Sequence, residues 1–220
     1  MNVVHPIADK IVMRIKAKMG RSLSILDLLD LGSRSALDQA LSRLVRRGTI
    51  SRVGRGLYAW PRISKLLNRP VTPSLNDLAH AWARQNGLRI VPAGAYAANL
   101  LGLSTQVPAK TVYYTNGRTQ TVRLGAMPVR FLNRGPKTMD VSGRIAPAIF
   151  QALRYMGKDG MTTQNIRRLQ ALLKTRDKAD LTRNMRYAAA WMKPILVQIA
   201  EEGGAIAQGL TELEKVINAP

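Results

Sequence analysis

The chain has 220 residues and a formal net charge of +21, from 34 Lys and Arg against 13 Asp and Glu. Its 46% hydrophobic content sets it apart from a disordered basic tail. It has no cysteine, which excludes a disulfide scaffold, a thiolate zinc site, an iron–sulfur cluster and a Cys nucleophile; its two histidines, His5 and His80, are too far apart in sequence to favour a His metal site or a Ser-His-Asp triad.

The first helix is predicted over Pro6–Lys18. Ile7, Ile11, Val12 and Ile15 recur near helical spacing, with Lys10, Arg14, Lys16 and Lys18 between them, and Gly20 stops it. Ser24 is placed to cap a short second helix, Ile25–Leu31, with Asp27 in its first turn and Gly32 at its end. Ser33 caps a third, from Arg34 to Arg47, closed by Gly48. Leu37, Ala40, Leu41, Leu44 and Val45 form its apolar face. Arg34, Ser35, Asp38, Gln39, Ser42, Arg43 and Arg46 lie elsewhere around it. Two strand-like runs follow, Thr49–Val53 and Leu57–Trp60, joined as a hairpin by Gly54-Arg55-Gly56 and closed by Pro61.

Helix, helix, helix, hairpin is the order of a winged helix-turn-helix, and Gly32 gives the short turn between its second and third helices. The third helix then offers Arg34, Ser35, Gln39, Ser42, Arg43 and Arg46 to base edges or phosphates, and the hairpin offers Arg52 and Arg55. The plainer alternative is a three-helix domain that binds a protein. Basic residues on both the third helix and the hairpin favour DNA.

Residues 63–73 read as a linker. Leu66 and Leu67 can pack, but Asn68, Arg69, Pro70 and Pro73 break regular structure. Ser74 caps a helix over Leu75–Asn86 that carries Leu78, Ala79, Trp82 and Ala83 and ends at Gly87. A short strand, Leu88–Val91, precedes a small-residue-rich helix, Pro92–Leu103, that ends at Gly102. Within it Asn99 requires a partner. Thr111–Thr115 is a strand. Asn116-Gly117 signals a hairpin to a return strand at Thr119–Leu124, with a third strand at Val129–Leu132. Arg118, Arg123 and Arg130 fall on this sheet. Tyr113 and Tyr114 alternate, one facing in and one out.

From Arg144 the pattern is helical, through Ile145, Ala148, Ile149, Ala152, Leu153 and Met156. Thr162 or Thr163 caps the next helix, with Ile166, Leu169, Leu172 and Leu173 on its apolar side. A third is expected near Leu181–Ala190, bearing Arg183 and Arg186, and a last one from Pro194 through Ile199. Residues 201–220 form an acidic tail with a weak helix at Leu210–Ile217. The fold class is therefore α+β, mainly α: an N-terminal winged helix-turn-helix (1–62), a linker (63–73), and a C-terminal domain (74–200) with a small antiparallel sheet and a helical bundle.

Charge is spread over both halves. Residues 1–62 hold 12 basic and 4 acidic side chains, and residues 63–200 hold 21 and 5. Residues 201–220 hold 1 and 4, and all four glutamates lie there. Such an excess costs self-repulsion and points to a polyanion partner. No run of about 18 apolar residues exists, so no membrane helix is expected. Asp9, Lys10, Arg14, Lys16 and Lys18 interrupt any leader-like run, and a cytoplasmic protein is expected.

No catalytic or metal-binding residue and no cofactor is expected. Gly54-Arg55-Gly56 lacks the ending of a phosphate loop. Asp177 and Asp180 sit among Arg176, Lys178 and Arg183, so local ion pairing is expected. Trp60, Trp82 and Trp191 read as core or inter-helix anchors. A nuclease would need clustered acidic residues or histidines, which the chain lacks.

Arg55-Gly56-Leu57-Tyr58-Ala59-Trp60-Pro61 closing the hairpin, Pro92-Ala93-Gly94-Ala95-Tyr96-Ala97-Ala98-Asn99-Leu100-Leu101-Gly102-Leu103-Ser104 with Thr105-Gln106-Val107-Pro108 after it, and Tyr113-Tyr114-Thr115-Asn116-Gly117 together resemble AbiEi-type antitoxins, over about residues 5–155. The resemblance implies the antitoxin of a type IV toxin–antitoxin pair, acting in abortive infection and in maintenance of mobile elements. It implies a winged helix that binds inverted repeats at its own promoter and represses it, with a C-terminal domain that neutralises a nucleotidyltransferase-like toxin without a stable complex. Arg34, Ser35, Gln39, Ser42 and Arg43 match the recognition-helix region, and Arg52 and Arg55 match the wing. A monomer that pairs on DNA fits. The alternative is a winged-helix transcription factor unrelated to toxin–antitoxin systems.

Overall fold

A computed structural model describes residues 6–18, 21–63, 70–71 and 73–201. The chain divides into two compact units, residues 1–90 with 117–131, and residues 91–116 with 132–220. Both mix helices with short strands, an α+β composition. The expected stop at Gly20, the breaks at Leu66–Arg69 and the helix at Leu210–Ile217 lie outside the described residues.

In the first unit, α1 (Ile7–Ala17) buries Ile11 and Ile15, one turn apart. Ser24 caps a 3-10 helix over Ile25–Leu31, where Asp27 Oδ2 accepts from the Ser24 N–H (2.8 Å) and Oγ (3.0 Å). The three-residue period suits this sequence. Ile25, Leu28 and Leu31 fall on one edge and join the core, while Asp27 and Asp30 fall on another. Arg14 ties that acidic edge to α1 through the Asp27 carbonyl (3.2 Å) and the Asp30 carboxylate. Ser33 caps α2 (Arg34–Arg46), its Oγ accepting from the Ala36 N–H at 3.3 Å. Leu37, Leu41 and Leu44 from α2 meet Ile11, Ile15 and Leu28 in one core.

β2 (Ser51–Gly54) and β3 (Leu57–Ala59) form the expected hairpin, with a bulge between Arg52 and Gly54. A third strand was not expected. β1 (Leu23–Ser24) pairs with β3, Leu23 opposite Tyr58, giving the order β1-β3-β2. Two residues are too few for a period-2 signal. β4 (Arg62–Ile63) and β5 (Pro70–Val71) pair antiparallel, where sequence predicts a linker.

The boundaries drawn at 62 and 74 differ from this division. α3 (Leu75–Gln85), capped by Ser74, packs on β1 and β3 and belongs to the first unit. Arg84 donates to the Ser22 carbonyl at 2.9 Å, and Trp82 stacks on Phe131, ring centroids 4.3 Å apart. Phe131 arrives on a hairpin of β8 (Gln120–Leu124) and β9 (Met127–Asn133), with Leu124 opposite Met127. Its two-residue turn starts at Gly125, whose φ of +60° suits glycine. Asn116-Gly117 is therefore not the hairpin. Gly117 does not lie in the left-handed φ region, and a Cβ there would come within 2.7 Å of Leu88 Cδ2, so glycine serves close packing. Arg123 and Arg130 lie on strands, and Arg118 precedes them.

In the second unit, α4 (Gly94–Leu100) follows the short strand β6 (Ile90–Pro92) and is shorter than the predicted Pro92–Leu103. Fully buried Ala97 and Ala98 let it approach α6 (Ala146–Met156), which contributes Ile149, Phe150 and Leu153 to the core. Asn99 finds its partners in the carbonyls of Ser104 (3.3 Å) and Gln106 (3.1 Å). On β7 (Thr111–Thr115) Tyr113 is buried, and Tyr114 is half-buried with the Arg134 guanidinium 4.8 Å from its ring. α5 (Pro136–Met139) was not foreseen.

Thr162 caps α7 (Thr163–Leu172), which buries Leu169 but leaves Leu172 exposed. The helix expected at Leu181–Ala190 is instead α8 (Thr175–Arg183), followed by one 3-10 turn at Met185–Tyr187. Asp177 explains the shift, since its carboxylate accepts from the Lys174 N–H (3.1 Å) and starts the helix there. Arg186 consequently leaves the helix. α9 (Met192–Ala200) carries Pro194 in its first turn, as predicted. Among the described residues, no helix is long and apolar enough to cross a membrane.

Candidate nucleic-acid interface

On α2 the buried stripe of Leu37, Leu41 and Leu44 fixes where every other side chain points. Ser35, Gln39, Ser42 and Arg46 stand at i, i+4, i+7 and i+11, so they form a second stripe diametrically opposite. All four are exposed, and Arg43 is exposed on the flank of that stripe. Arg34 is exposed at the helix start, with its Nε donating to Asp38 at 3.1 Å. Part of its charge is therefore already answered. Arg52 and Arg55 are both exposed on the β2–β3 hairpin. Arg52 reaches back to the Gly54 carbonyl at 3.4 Å, while Arg55 occupies the turn.

The structure thus brings Ser35, Gln39, Ser42 and Arg46 onto one line, sets Arg43 beside it, and places Arg52 and Arg55 on the hairpin. Such a face can do two things: donate to phosphate oxygens through its guanidiniums, and present hydroxyl and amide groups to base edges. His80 is exposed on α3. Trp60 packs against the first core and Trp191 against the second, as anchors.

Sequence reasoning missed a second basic cluster, in the other unit. α8 turns Asp177, Asp180, Leu181 and Asn184 inward, at i, i+3, i+4 and i+7. The ion pair of Asp177 is not with Arg176, Lys178 or Arg183 beside it. Arg144, from 33 residues earlier, forks onto it through Nε (3.2 Å) and Nη2 (2.6 Å). Asp180 does pair as expected, with Arg183. Buried Asn184 clamps the preceding loop, its Oδ1 accepting from the Ser142 N–H (3.0 Å) and its Nδ2 donating to the Ser142 carbonyl (2.9 Å). Gly143 sits at φ +107°, where a Cβ would come within 2.6 Å of Asp180 Oδ2. The available signal was two carboxylates on one helix face, which need cations to be buried.

Two outcomes follow from this geometry. Gly143→Ala should destabilise the second unit by about 1–3 kcal/mol, from the strained φ and the clash together, read as a lower thermal midpoint. The Asp177 carboxyl is held below its ordinary range first by the hydrogen bond from Arg144, against the opposite push of burial. Its folded pKa is below the unfolded value of about 3.9, so its contribution is present above that value and is lost as pH falls through the folded pKa. Melting curves between pH 6 and pH 2 should therefore fall less steeply for Asp177→Asn than for the native chain.

Among the described residues, no group of three or more His, Asp or Glu side chains is arranged to hold a metal ion. No curated protein matches the sequence. Residues 7–181 match DUF6088, a family of unknown function, and with that span matched the chain belongs to this family.

Proposed function

We propose that the protein is a DNA-binding autorepressor that serves as the antitoxin of a type IV toxin–antitoxin pair. In this reading the first unit is a winged helix-turn-helix, with α2 as recognition helix in the major groove and the β2–β3 hairpin as the wing. Its operator is an inverted repeat in its own promoter, bound by monomers that pair on the duplex. The second unit counters a nucleotidyltransferase-like toxin encoded beside it, without forming a stable complex. The protein works in the cytoplasm and performs no catalysis of its own.

The observation that carries the DNA reading is the α2 surface: a polar and cationic stripe directly opposite a fully apolar one, next in sequence to a hairpin bearing two exposed arginines. The net charge of +21 adds a polyanion preference. The antitoxin role rests on the resemblance to AbiEi-type antitoxins.

A gel-shift titration against the upstream promoter DNA, with scrambled competitor and varied salt, tests the repressor reading. Tight binding that survives the competitor supports it. Binding erased by the competitor refutes it and leaves a nonspecific polycation. Co-expression with the product of the neighbouring gene tests the other half. Restored growth supports an antitoxin; specific DNA binding without rescue leaves a winged-helix transcription factor of another kind.

A further inference from the structure

We propose that the second unit binds a compact, phosphate-rich anion, such as the triphosphate chain of a nucleotide, in the cleft between the Ser142–Arg144 loop and α8. The cleft measures about 580 Å³, within the range of roughly 300–1,000 Å³ typical of small-ligand sites. Arg144, Lys174, Arg176 and Arg183 line it. The carboxylates of Asp177 and Asp180 answer two of those four charges, so a net positive charge remains.

The carboxylates also do something more specific. Arg144 is forked onto Asp177 and Arg183 is paired with Asp180, yet their side chains remain 62% and 69% exposed. Each guanidinium carries five N–H donors in a rigid plane, and the ion pairs use only some of them. The remaining donors are held in fixed directions, so less side-chain entropy is lost when an anion docks. Lys174 and Arg176 are exposed and make no close ion pair among the described residues; Lys174 acts on Asp177 at longer range, and both ammonium and guanidinium donors face a ligand unbonded to any carboxylate. The site does not depend on the helix end, because Asp177 already accepts the Lys174 N–H.

The shape selects the ligand class. The four cations surround one concave space and are not strung along a track. A multiply charged phosphate chain can meet several of them at once, whereas a nucleic-acid backbone presents its charges singly along a ridge. This inference is independent of the DNA reading, because it concerns the other unit.

Calorimetric titration of the full chain with inorganic triphosphate, in low salt with chelator, tests it. Saturable binding is expected, weakened tenfold or more by Lys174→Gln with Arg176→Gln. These two are chosen because neither side chain hydrogen-bonds a buried carboxylate, Lys174 acting on Asp177 through its charge alone, and an unchanged melting curve confirms folding. Arg123→Gln with Arg130→Gln, which removes two exposed charges elsewhere, should leave affinity unchanged. Equal weakening by both pairs, or no saturable heat, overturns the proposal. Tighter binding of ATP than of triphosphate assigns the site to a nucleotide, and equal binding assigns it to the phosphate chain alone; both support the cleft. Loss of duplex DNA binding in the cleft variant, with no response to triphosphate, overturns it in favour of nucleic acid. Arg43→Ala with Arg55→Ala should bind triphosphate as the native chain does, so failure of the DNA reading is seen separately.

Discussion

Arg43→Ala combined with Arg55→Ala is expected to weaken operator binding by roughly 30-fold or more, taking about 1 kcal/mol or more for each lost contact. Both side chains are exposed, one beside the polar stripe of α2 and the other in the hairpin turn. Neither forms an ion pair among the described residues. Truncation therefore leaves no buried charge behind, and the melting curve should match that of the native protein. If both arginines contact phosphates, the slope of log affinity against log salt should become shallower by up to about 2. A double variant with native circular dichroism and unchanged affinity would refute the docking of α2 and the hairpin on DNA.

Leu41→Asp should unfold the first unit. Leu41 is fully buried midway along the apolar stripe of α2, against a core that includes Ile11, Ile15 and Leu28. The substitution deletes that packing and forces a carboxylate into a site with no cation to meet it. A cost of about 4–5 kcal/mol or more is a large share of the 5–15 kcal/mol that holds a typical domain together. Loss of helical circular dichroism and rapid proteolysis are the readouts. Ser42→Asp is the matched comparison, since the next residue points to solvent. On the proposed docking, that variant should fold normally and lose DNA affinity, because it adds an anion to the polar stripe. A folded Leu41→Asp would place α2 in a different rotational setting and would move every residue of the proposed interface with it.

The elements bounded by local chemistry were legible in sequence. Ser33 and Ser74 cap the helices they were expected to cap, and Thr162 is the one of the Thr162–Thr163 pair that caps α7, because a short side chain reaching back to the first turn is a local interaction. The outward face of α2 followed from the same periodicity that defined its core face. Legibility failed where the determining contact is distant or the signal brief. β1 is two residues long and exists because β3 offers it an edge. Asn116-Gly117 carries turn chemistry, but Gly117 is used for its lack of a side chain beside Leu88. Asp177 and Asp180 were correctly read as ion-paired, yet local spacing could nominate only neighbours. The Arg144 partnership spans 33 residues and required the fold to bring loop and helix together. The basic cleft depends on that encounter, so it had no signature of its own.

A unit built from residues 1–90 and 117–131 cannot be finished when its first ninety residues have been made. On the ribosome, α3 must wait for Phe131 before Trp82 can gain its stacking partner. At roughly 5–20 residues per second, the intervening stretch takes about 2–8 s to synthesise. During that interval one side of α3 is exposed to chaperones and proteases. Maturation of the first unit is thereby tied to progress through the second, and a messenger truncated early yields a fragment that lacks the hairpin needed to complete it.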